Sequence, residues 1–529
     1  MDITVWLSLI PAIIIFLYGM DNFSKEIQKA VGSQFTSTIR WATKSRWRGT
    51  IFGAIITAII QSSAATTIIT IGLVSAGTIT FAQSIGIIFG ANIGTTLTSQ
   101  LVAFHFTELA PIIILFGFAL SFLKTKYKIF GKPLFYLGLL LFALNLISLA
   151  VIPLKTDPQI AYLLLQTSII PIGILIGFII TNLFQSSSVT TGLVVVMALN
   201  GLIGLPEAIP IIFGANIGTT VLTLVVSSRM DVFARRAAVS HFLFNFFGVL
   251  LFIPLIPILI STVELIGGST AQQVANAHLI FNVGATIILL IFIKYFQKLV
   301  EKLVPTKEKE IILRTEKLEG VEDKKPNKIF EAVNEEFKNS LNATIGIFNE
   351  SNVILLSNKG DLTKVTKLCA LSQFIHKETK RVLTHLAKQK LSKEDSETLI
   401  RLARLSKLFE QISIIGKNVC ETIINAKDNS IIFSEKGISA LDKCVSDLGQ
   451  NLILIRDNYP MFDNKTSALM RKNRNDLRLT ITQSYDEYLA RLIKGQSTSG
   501  STFAEVLGSI QEAEGKAREI RKVCQLKND

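Results

Sequence analysis

The apolar and polar positions of this 529-residue chain divide it into two unlike halves. Apolar runs near 3–20, 49–104, 109–123, 133–152, 159–228, 233–258 and 275–297 dominate the first part. A helix needs about 20 residues to cross the hydrocarbon core of a bilayer, so these runs predict membrane-spanning helices. Beyond residue 301 the chain is dense in Lys, Glu, Asp and Arg, and apolar residues recur there at helical spacing in six segments. They lie near 327–357, 361–390, 394–427, 431–459, 464–494 and 501–525, separated by breaks such as NKGD at 358–361, KDNS at 427–430 and NYPMFDN at 458–464. The expected fold is therefore all-α. A polytopic membrane domain covers 1–304, and a soluble helical domain, arranged as paired three-helix bundles, covers 305–529, with the composition shift near Val304-Pro305 as the boundary. The opening MDITVWLSLIPAIIIFLYGM has no basic leader and no small-residue cleavage site, which predicts a retained first span.

Two of the runs are too long for one crossing. Residues 49–104 contain no Asp, Glu, Lys or Arg, and 159–228 contain Glu207 alone. Loop charge sets their parity, because Lys and Arg concentrate on the cytoplasmic side. The stretch 22–48, with Lys25, Lys29, Arg40, Lys44, Arg46 and Arg48, is expected inside, and 104–108, with His105 and Glu108, outside. The lysines at 124, 126, 128 and 132 return the chain inside, 153–158 lies outside, and Arg229, Arg235 and Arg236 are inside again. Each long run then crosses an odd number of times and in opposite senses. The economical solution is one complete span plus a re-entrant pair of half-helices in each run.

The two runs are also copies. Residues 57–96 and 181–220 align without a gap at an offset of 124, with 19 identities in 40 positions. QSSAATT at 61–67 answers QSSSVTT at 185–191, and GANIGTT occurs at 90–96 and again at 214–220. A duplicated unit entering from opposite faces is an inverted-topology repeat, an architecture that builds one midplane site between two halves. The repeat cores are about 49–104 and 173–228.

Polar side chains inside apolar runs are costly unless they are partnered. The first turn of a broken helix offers backbone N–H groups with partial positive charge, and Ser or Thr hydroxyls add donors, so such an end attracts an oxyanion without Lys or Arg. The carbonyls that end the other half-helix, with Thr hydroxyls and Gln or Asn amide oxygens, suit a small hard cation such as sodium. The two repeats hold no Lys or Arg with which to bind an anion, so dipoles, hydroxyls and co-bound cations are what this sequence can supply.

The paired QSS segments, each followed by GANIGTT, resemble the signature of the type II sodium-phosphate cotransporter family over roughly residues 1–300. The resemblance implies sodium-driven inward transport of inorganic phosphate across the cytoplasmic membrane. It implies that Ser62, Ser63, Ser186, Ser187 and Ser188 hold phosphate, and that Gln61, Gln185, Thr95, Thr96, Thr219 and Thr220 coordinate sodium. Asn92 and Asn216 are further candidates, open between a ligand role and a role in shaping the break. The family run is usually QSSS, and Ala64 stands at the third serine of the first copy, one hydroxyl fewer.

HFLFN at 241–245 and HLIFN at 278–282 share the pattern HxxFN, for which hydrogen bonding between helices is the expected role, since two His with no carboxylate nearby make a poor metal site. The polar half is similar to the PhoU-like domains fused to such transporters. Their metal motif places Asp four residues after an acidic residue, but here Glu410 is followed by Ile414, which argues against a metal. Cys369, Cys420, Cys444 and Cys524 form no CxxC pair and are expected to be buried thiols in a reducing, cytoplasmic compartment.

The formal charge of +14 is topological, because the bases of the first half cluster between apolar runs; nucleic acid is not an expected partner. The expected partners are inorganic phosphate, sodium and the lipid bilayer, with a homodimer left open. No organic cofactor is expected and sodium serves as coupling ion. The membrane half shows no Ser-His-Asp arrangement, carboxylate pair or Walker motif, so the chain is expected to be no enzyme. A symporter is the first reading, and a membrane-anchored phosphate sensor that signals through the helical domain is the alternative.

Overall fold

The computed structural model describes residues 3–104, 106–124, 126–306, 310–357, 360–431, 433–494 and 501–525, excepting the side chains of 3–4, 31–37, 40, 126 and 156. His105, Asn358, Lys359 and the side chain of Arg40 lie outside the described residues. The chain forms helices throughout the described residues, with no β-strand, and divides into two compact units, Met1–Glu310 and Ile311–Asp529. The division falls six residues beyond the composition shift because the segment after Val304 is bonded to the first unit. Arg236 Nε donates to the Val304 carbonyl at 2.9 Å, and the Phe81 amide donates to Glu310 Oε1 at 2.6 Å.

The first unit opens with α1 (Ile3–Ala42), which continues through much of the stretch expected to be a cytoplasmic loop. Lys25 and Lys29 ride on this helix and pair with Asp21 at 2.6 Å and Glu26 at 2.7 Å, local i,i+4 and i,i+3 pairs that offset their charge. Then come α2 (Arg46–Ile60), α3 (Ser63–Ser75), α4 (Phe81–Gly94) and α5 (Thr96–Ala103), followed by the hairpin α6 (Ala110–Phe122) and α7 (Gly131–Val151). After the short α8 (Pro158–Leu165) the pattern returns as α9 (Ile170–Phe184), α10 (Ser187–Leu199), α11 (Leu205–Gly218) and α12 (Thr220–Ser227). Every bound in α9–α12 equals its counterpart in α2–α5 plus 124, for example 46 + 124 = 170 and 103 + 124 = 227. The unit closes with α13 (Val232–Phe252), α14 (Ile256–Ile266), α15 (Thr270–Ile291) and α16 (Ile293–Leu303).

The burial pattern of this unit is inverted relative to a water-soluble protein. Ile51, Ile55 and Ile59 on α2 are exposed, as are Leu175, Ile179 and Leu183 at the equivalent places on α9, whereas Thr57, Thr66, Ser99, Thr181, Thr220 and Thr223 are fully buried. An aliphatic stripe outside and hydroxyls inside is the arrangement a hydrocarbon solvent selects. Among the described residues, six helices are long and apolar enough to cross a membrane, and Pro158–Ser168 with Ile170–Phe184 qualify together across a 106° bend. Phe81–Ala103 and Leu205–Ser227, 23 residues each, are among the six. By contrast α2 (15 residues) and α3 (13 residues) reach only about 22 and 20 Å at 1.5 Å per residue. Each copy therefore contains one full-length helix and two half-length ones. The protein is a membrane protein.

The second unit buries Leu, Ile and Phe under charged surfaces. Its helices are α17 (Pro326–Leu356), α18 (Leu362–Leu386), α19 (Lys393–Asp428), α20 (Glu435–Asn458), α21 (Asn464–Ile493) and α22 (Thr502–Cys524). The trio α17, α18, α19 packs together, the trio α20, α21, α22 does likewise, and α17 against α20 and α19 against α22 join them. Asp361, Ser392, Ser434 and Asp463 cap α18 to α21 through their side-chain oxygens. All four cysteines are buried free thiols.

Candidate functional site

The break between α2 and α3 falls on two residues. Gln61 adopts a left-handed conformation (φ 58°, ψ 26°), ends α2 and turns the chain, while Ser62 begins α3, its Oγ accepting from the Ala65 amide at 3.2 Å. Gln185 (φ 53°, ψ 29°) and Ser186, with Oγ accepting from the Val189 amide at 3.4 Å, repeat the device between α9 and α10. A left-handed glutamine is uncommon, because its Cβ crowds the following carbonyl, and it persists only where the surroundings fix it. A hydroxyl pair does so here: Thr57 bonds Thr66 at 2.9 Å, and Thr181 bonds Thr190 at 2.7 Å, each fastening the half-helix before the break to the one after it. Sequence reasoning missed Thr57 and Thr181 as site-forming residues, although both are identities four residues before the QSS motif.

These breaks place Ser63 and Ser187 at the first position of α3 and α10, with Ala64 and Ser188 at the second. Backbone amides at those positions have no acceptor within their own helix. They make an anion-attracting end of each half-helix, and the helices are long enough for the dipole to count.

The GANIGTT motifs do something else. Thr95 (φ −66°, ψ −22°) and Thr219 (φ −56°, ψ −25°) keep right-handed helical geometry, so α4 passes into α5, and α11 into α12, without unwinding. Of the two roles left open for Asn92 and Asn216, shaping a break has no break to act on at this motif. Its glycines serve packing: a Cβ on Gly90 would stand 1.9 Å from the Thr50 carbonyl oxygen, and one on Gly214 1.9 Å from that of Ile174. Only glycine lets α2 lie this close on α4 and α9 on α11.

Across the copies the helices exchange partners. α5 packs on α10 and α12 on α3; α15 packs on α5 and α10 while α13 packs on α12 and α3. Such reciprocal contacts are what a two-fold relation between the copies produces. At one of these junctions Ser188 Oγ lies 3.4 Å from Thr95 Oγ1 and 3.5 Å from Thr98 Oγ1, and Thr98 donates to Gln61 Oε1 at 2.6 Å. Four buried side chains from both copies thus form one polar cluster. Gln61, Thr95 and Ser188 were singled out in the sequence; Thr98 was not, because its counterpart at the offset is Leu222 and the duplication hides it. Among the described residues the cluster has no equivalent at the other junction, where Ala64 and Leu222 replace Ser188 and Thr98. Gln61 is 5% exposed and also borders a cavity of about 380 Å³ lined by Phe23, Ile27, Leu97 and Leu137, whereas Gln185 is exposed.

Of the other candidates, Thr96, Thr219, Thr220, Asn92 and Asn216 are buried, while Ser62 and Ser186 are half-buried. Thr96 and Thr220 donate to the Ile93 and Ile217 carbonyls, both at 2.7 Å, and Thr219 to that of Ala215 at 3.0 Å. A hydroxyl whose proton is tied to backbone keeps its lone pairs for a cation. Asn92 Nδ2 donates to the Ile88 carbonyl at 3.0 Å and Asn216 Nδ2 to Asn282 Oδ1 at 3.1 Å. The HxxFN residues bond between helices as expected: His278 Nδ1 to Ser99 Oγ at 3.1 Å and His241 Nδ1 to Thr223 Oγ1 at 3.3 Å. In the second unit, Glu410 Oε2 lies 2.7 Å from Lys407 Nζ and 3.7 Å from His376 Nε2, and no group of three His, Cys, Asp or Glu converges among the described residues.

The profile of the Na+/Pi-cotransporter family matches residues 15–149 and 161–308, spans that take in both copies of the duplicated unit. The chain belongs to the Na+/Pi-cotransporter family. An uncharacterized protein of Bacillus subtilis, YqeW, is 30% identical over 306 residues, 57% of this chain and 99% of its own length. YjbB of Escherichia coli, whose name provisionally assigns it to inorganic phosphate export, is 23% identical over 95% of this chain and 94% of its own. The sheep sodium-dependent phosphate transport protein 2A is 43% identical over 91 residues, 16% of this chain and 14% of its own. No solved structure matches the chain. Membership of the Na+/Pi-cotransporter family, alongside relatives named for phosphate transport, supports phosphate transport and indicates a transporter.

Proposed function

We propose that the protein is a sodium-coupled phosphate symporter of the cytoplasmic membrane, working by alternating access between two inverted repeats. Phosphate is held at the half-helix ends by the amides and hydroxyls of Ser62, Ser63, Ser186, Ser187 and Ser188. Sodium is coordinated by the oxygens of Gln61, Gln185, Thr95, Thr96, Thr219 and Thr220, to which the geometry adds Thr98. The observation that carries this reading is the cluster in which Ser188 of one copy meets Thr95, Thr98 and Gln61 of the other. A serine of the anion-binding end touching the cation-ligating oxygens gives a direct route by which one ion strengthens the binding of the other. The difference between a buried Gln61 and an exposed Gln185 supports alternating access, since a two-fold arrangement caught in one end state has unequal halves. The second unit is read as a cytoplasmic PhoU-like domain that regulates transport.

Proteoliposomes loaded without sodium are the test. Labelled phosphate accumulates when sodium is added outside, and replacement of sodium by potassium abolishes accumulation. Uptake indifferent to sodium contradicts the symport reading. The export name of the E. coli relative motivates a second reading of direction: phosphate-loaded vesicles that release phosphate without sodium coupling support outward transport.

A further inference from the structure

In the second unit five arginines gather around a single buried carboxylate, an excess of positive charge. On α21, Arg471, Arg474 and Arg478 follow at three- and four-residue steps and share one face; on the adjoining α22, Glu514, Arg518 and Arg521 do the same. Arg521 is 6% exposed and its only hydrogen bond among the described residues is to the neutral Gln525 Oε1 at 3.3 Å. Arg474 donates through Nη2 to the neutral Asn475 Oδ1 at 2.9 Å, and its Nε is buried without a partner. None of the five arginines forms an ion pair among the described residues, although Arg404 and Arg456 in the same unit do. The one acid in their midst, Glu514, is 5% exposed and makes no ion pair either.

Burying a guanidinium without a counter-charge costs several kcal/mol, and proteins ordinarily offset it with a carboxylate in contact. The arginines repel one another. Burial first, then Arg471, Arg474 and Arg518, push the Arg521 guanidinium below its usual range. Burial pushes the Glu514 carboxyl up against the opposing pull of Arg474, Arg478, Arg518 and Arg521, and one carboxylate leaves four of the five positive charges unbalanced. Guanidinium groups that lack a carboxylate and cluster on two facing helices match the bidentate geometry of phosphoryl oxygens.

We propose that this cluster is a regulatory binding site for an anion carrying two or more phosphoryl groups. Arg474 and Arg521 form its floor, and the exposed Arg471, Arg478 and Arg518 form its rim. More than one phosphoryl group is required because the arginines of α21 extend over seven residues, about 10 Å along the axis, further than a single tetrahedral oxyanion reaches. The site is independent of the transport reading above, since it lies wholly within the second unit and shares no residue with the Ser188 cluster.

The test uses the full-length protein in nanodiscs of zwitterionic lipid, in sodium-free buffer. Binding of pyrophosphate, a nucleoside triphosphate and inorganic phosphate is followed by calorimetry. Pyrophosphate or the triphosphate is expected to bind at least tenfold tighter than inorganic phosphate. Arg474→Gln with Arg521→Gln is expected to weaken that binding at least tenfold, and Ser188→Ala to leave it unchanged. The exposed rim variant Arg471→Gln with Arg478→Gln, which leaves Arg474 and Arg521 in place, is expected to weaken it as well and to flatten its salt dependence. No binding of either probe at millimolar concentration, or equal binding by wild type and both arginine variants, overturns the proposal.

Discussion

Removing the hydroxyl of Ser188 is the sharpest perturbation the geometry offers. Its Oγ is the atom that ties α10 to Thr95 and Thr98, at 3.4 and 3.5 Å, and on the proposed mechanism it also contacts phosphate. A hydrogen bond to a charged group contributes about 1.5–3 kcal/mol, and each 1.4 kcal/mol is tenfold in an equilibrium constant. Ser188→Ala is therefore expected to raise the KM for phosphate roughly 10- to 140-fold. The helix itself survives, because Ser186, not Ser188, caps α10. Ala64, at the matching position of the first copy, already lacks this hydroxyl, so the loss has no second serine to fall back on. The assay is the initial rate of phosphate flux into proteoliposomes across a range of phosphate concentrations, with Ser75→Ala as a control outside the motifs. A KM for Ser188→Ala within twofold of the control refutes the assignment.

Thr98→Val keeps shape and removes the donor to Gln61 Oε1; half-saturation by sodium is expected to rise about tenfold, the effect of a buried oxygen left unpaired at about 1–3 kcal/mol, as read from flux against sodium concentration. Gly90→Ala forces a methyl against the Thr50 carbonyl, and overpacking of about 1–3 kcal/mol or more is expected to lower thermal stability of the membrane unit in detergent. Burial pushes the thiols of Cys420, Cys444 and Cys524 up to about 12. Near pH 8 the reactive thiolate is therefore scarce in the folded protein, and alkylation of these cysteines is expected only after unfolding, as counted by mass spectrometry. Glu310→Ala removes the carboxylate that accepts from the first amide of α4, and a loss of roughly 0.3–1 kcal/mol in the stability of the membrane unit follows from the helix dipole.

The element plan was legible because membranes and bundles both write their helices as long apolar periods. The six helices of the second unit fall within a few residues of their expected bounds, and the copied unit was readable from its constant offset. What the pattern could not show was conformation at single residues. Nothing in QSS announces that Gln61 and Gln185 are left-handed, since glutamine is no usual choice there; the Thr57–Thr66 and Thr181–Thr190 pairs that hold the turn are contacts across a break. The roles of Asn92 and Asn216 in GANIGTT stayed open in the sequence, and its glycines were not read as packing residues, although the close approach of α2 to α4 depends on them. Thr98 escaped for the opposite reason: reading by duplication favours residues present twice, and the cluster is asymmetric. The cationic stretch 22–48 was taken for a loop, yet α1 runs on through it to Ala42, because local ion pairs let a charged segment stay helical.

The central claim is that phosphate and sodium share one site between the copies, and linkage makes it measurable in a single titration. If Ser188 joins the two ions, saturating sodium must tighten the phosphate Kd of the purified full-length protein at least tenfold relative to choline, and Ser188→Ala must remove most of that gain. A phosphate Kd that is the same in sodium and in choline contradicts the account.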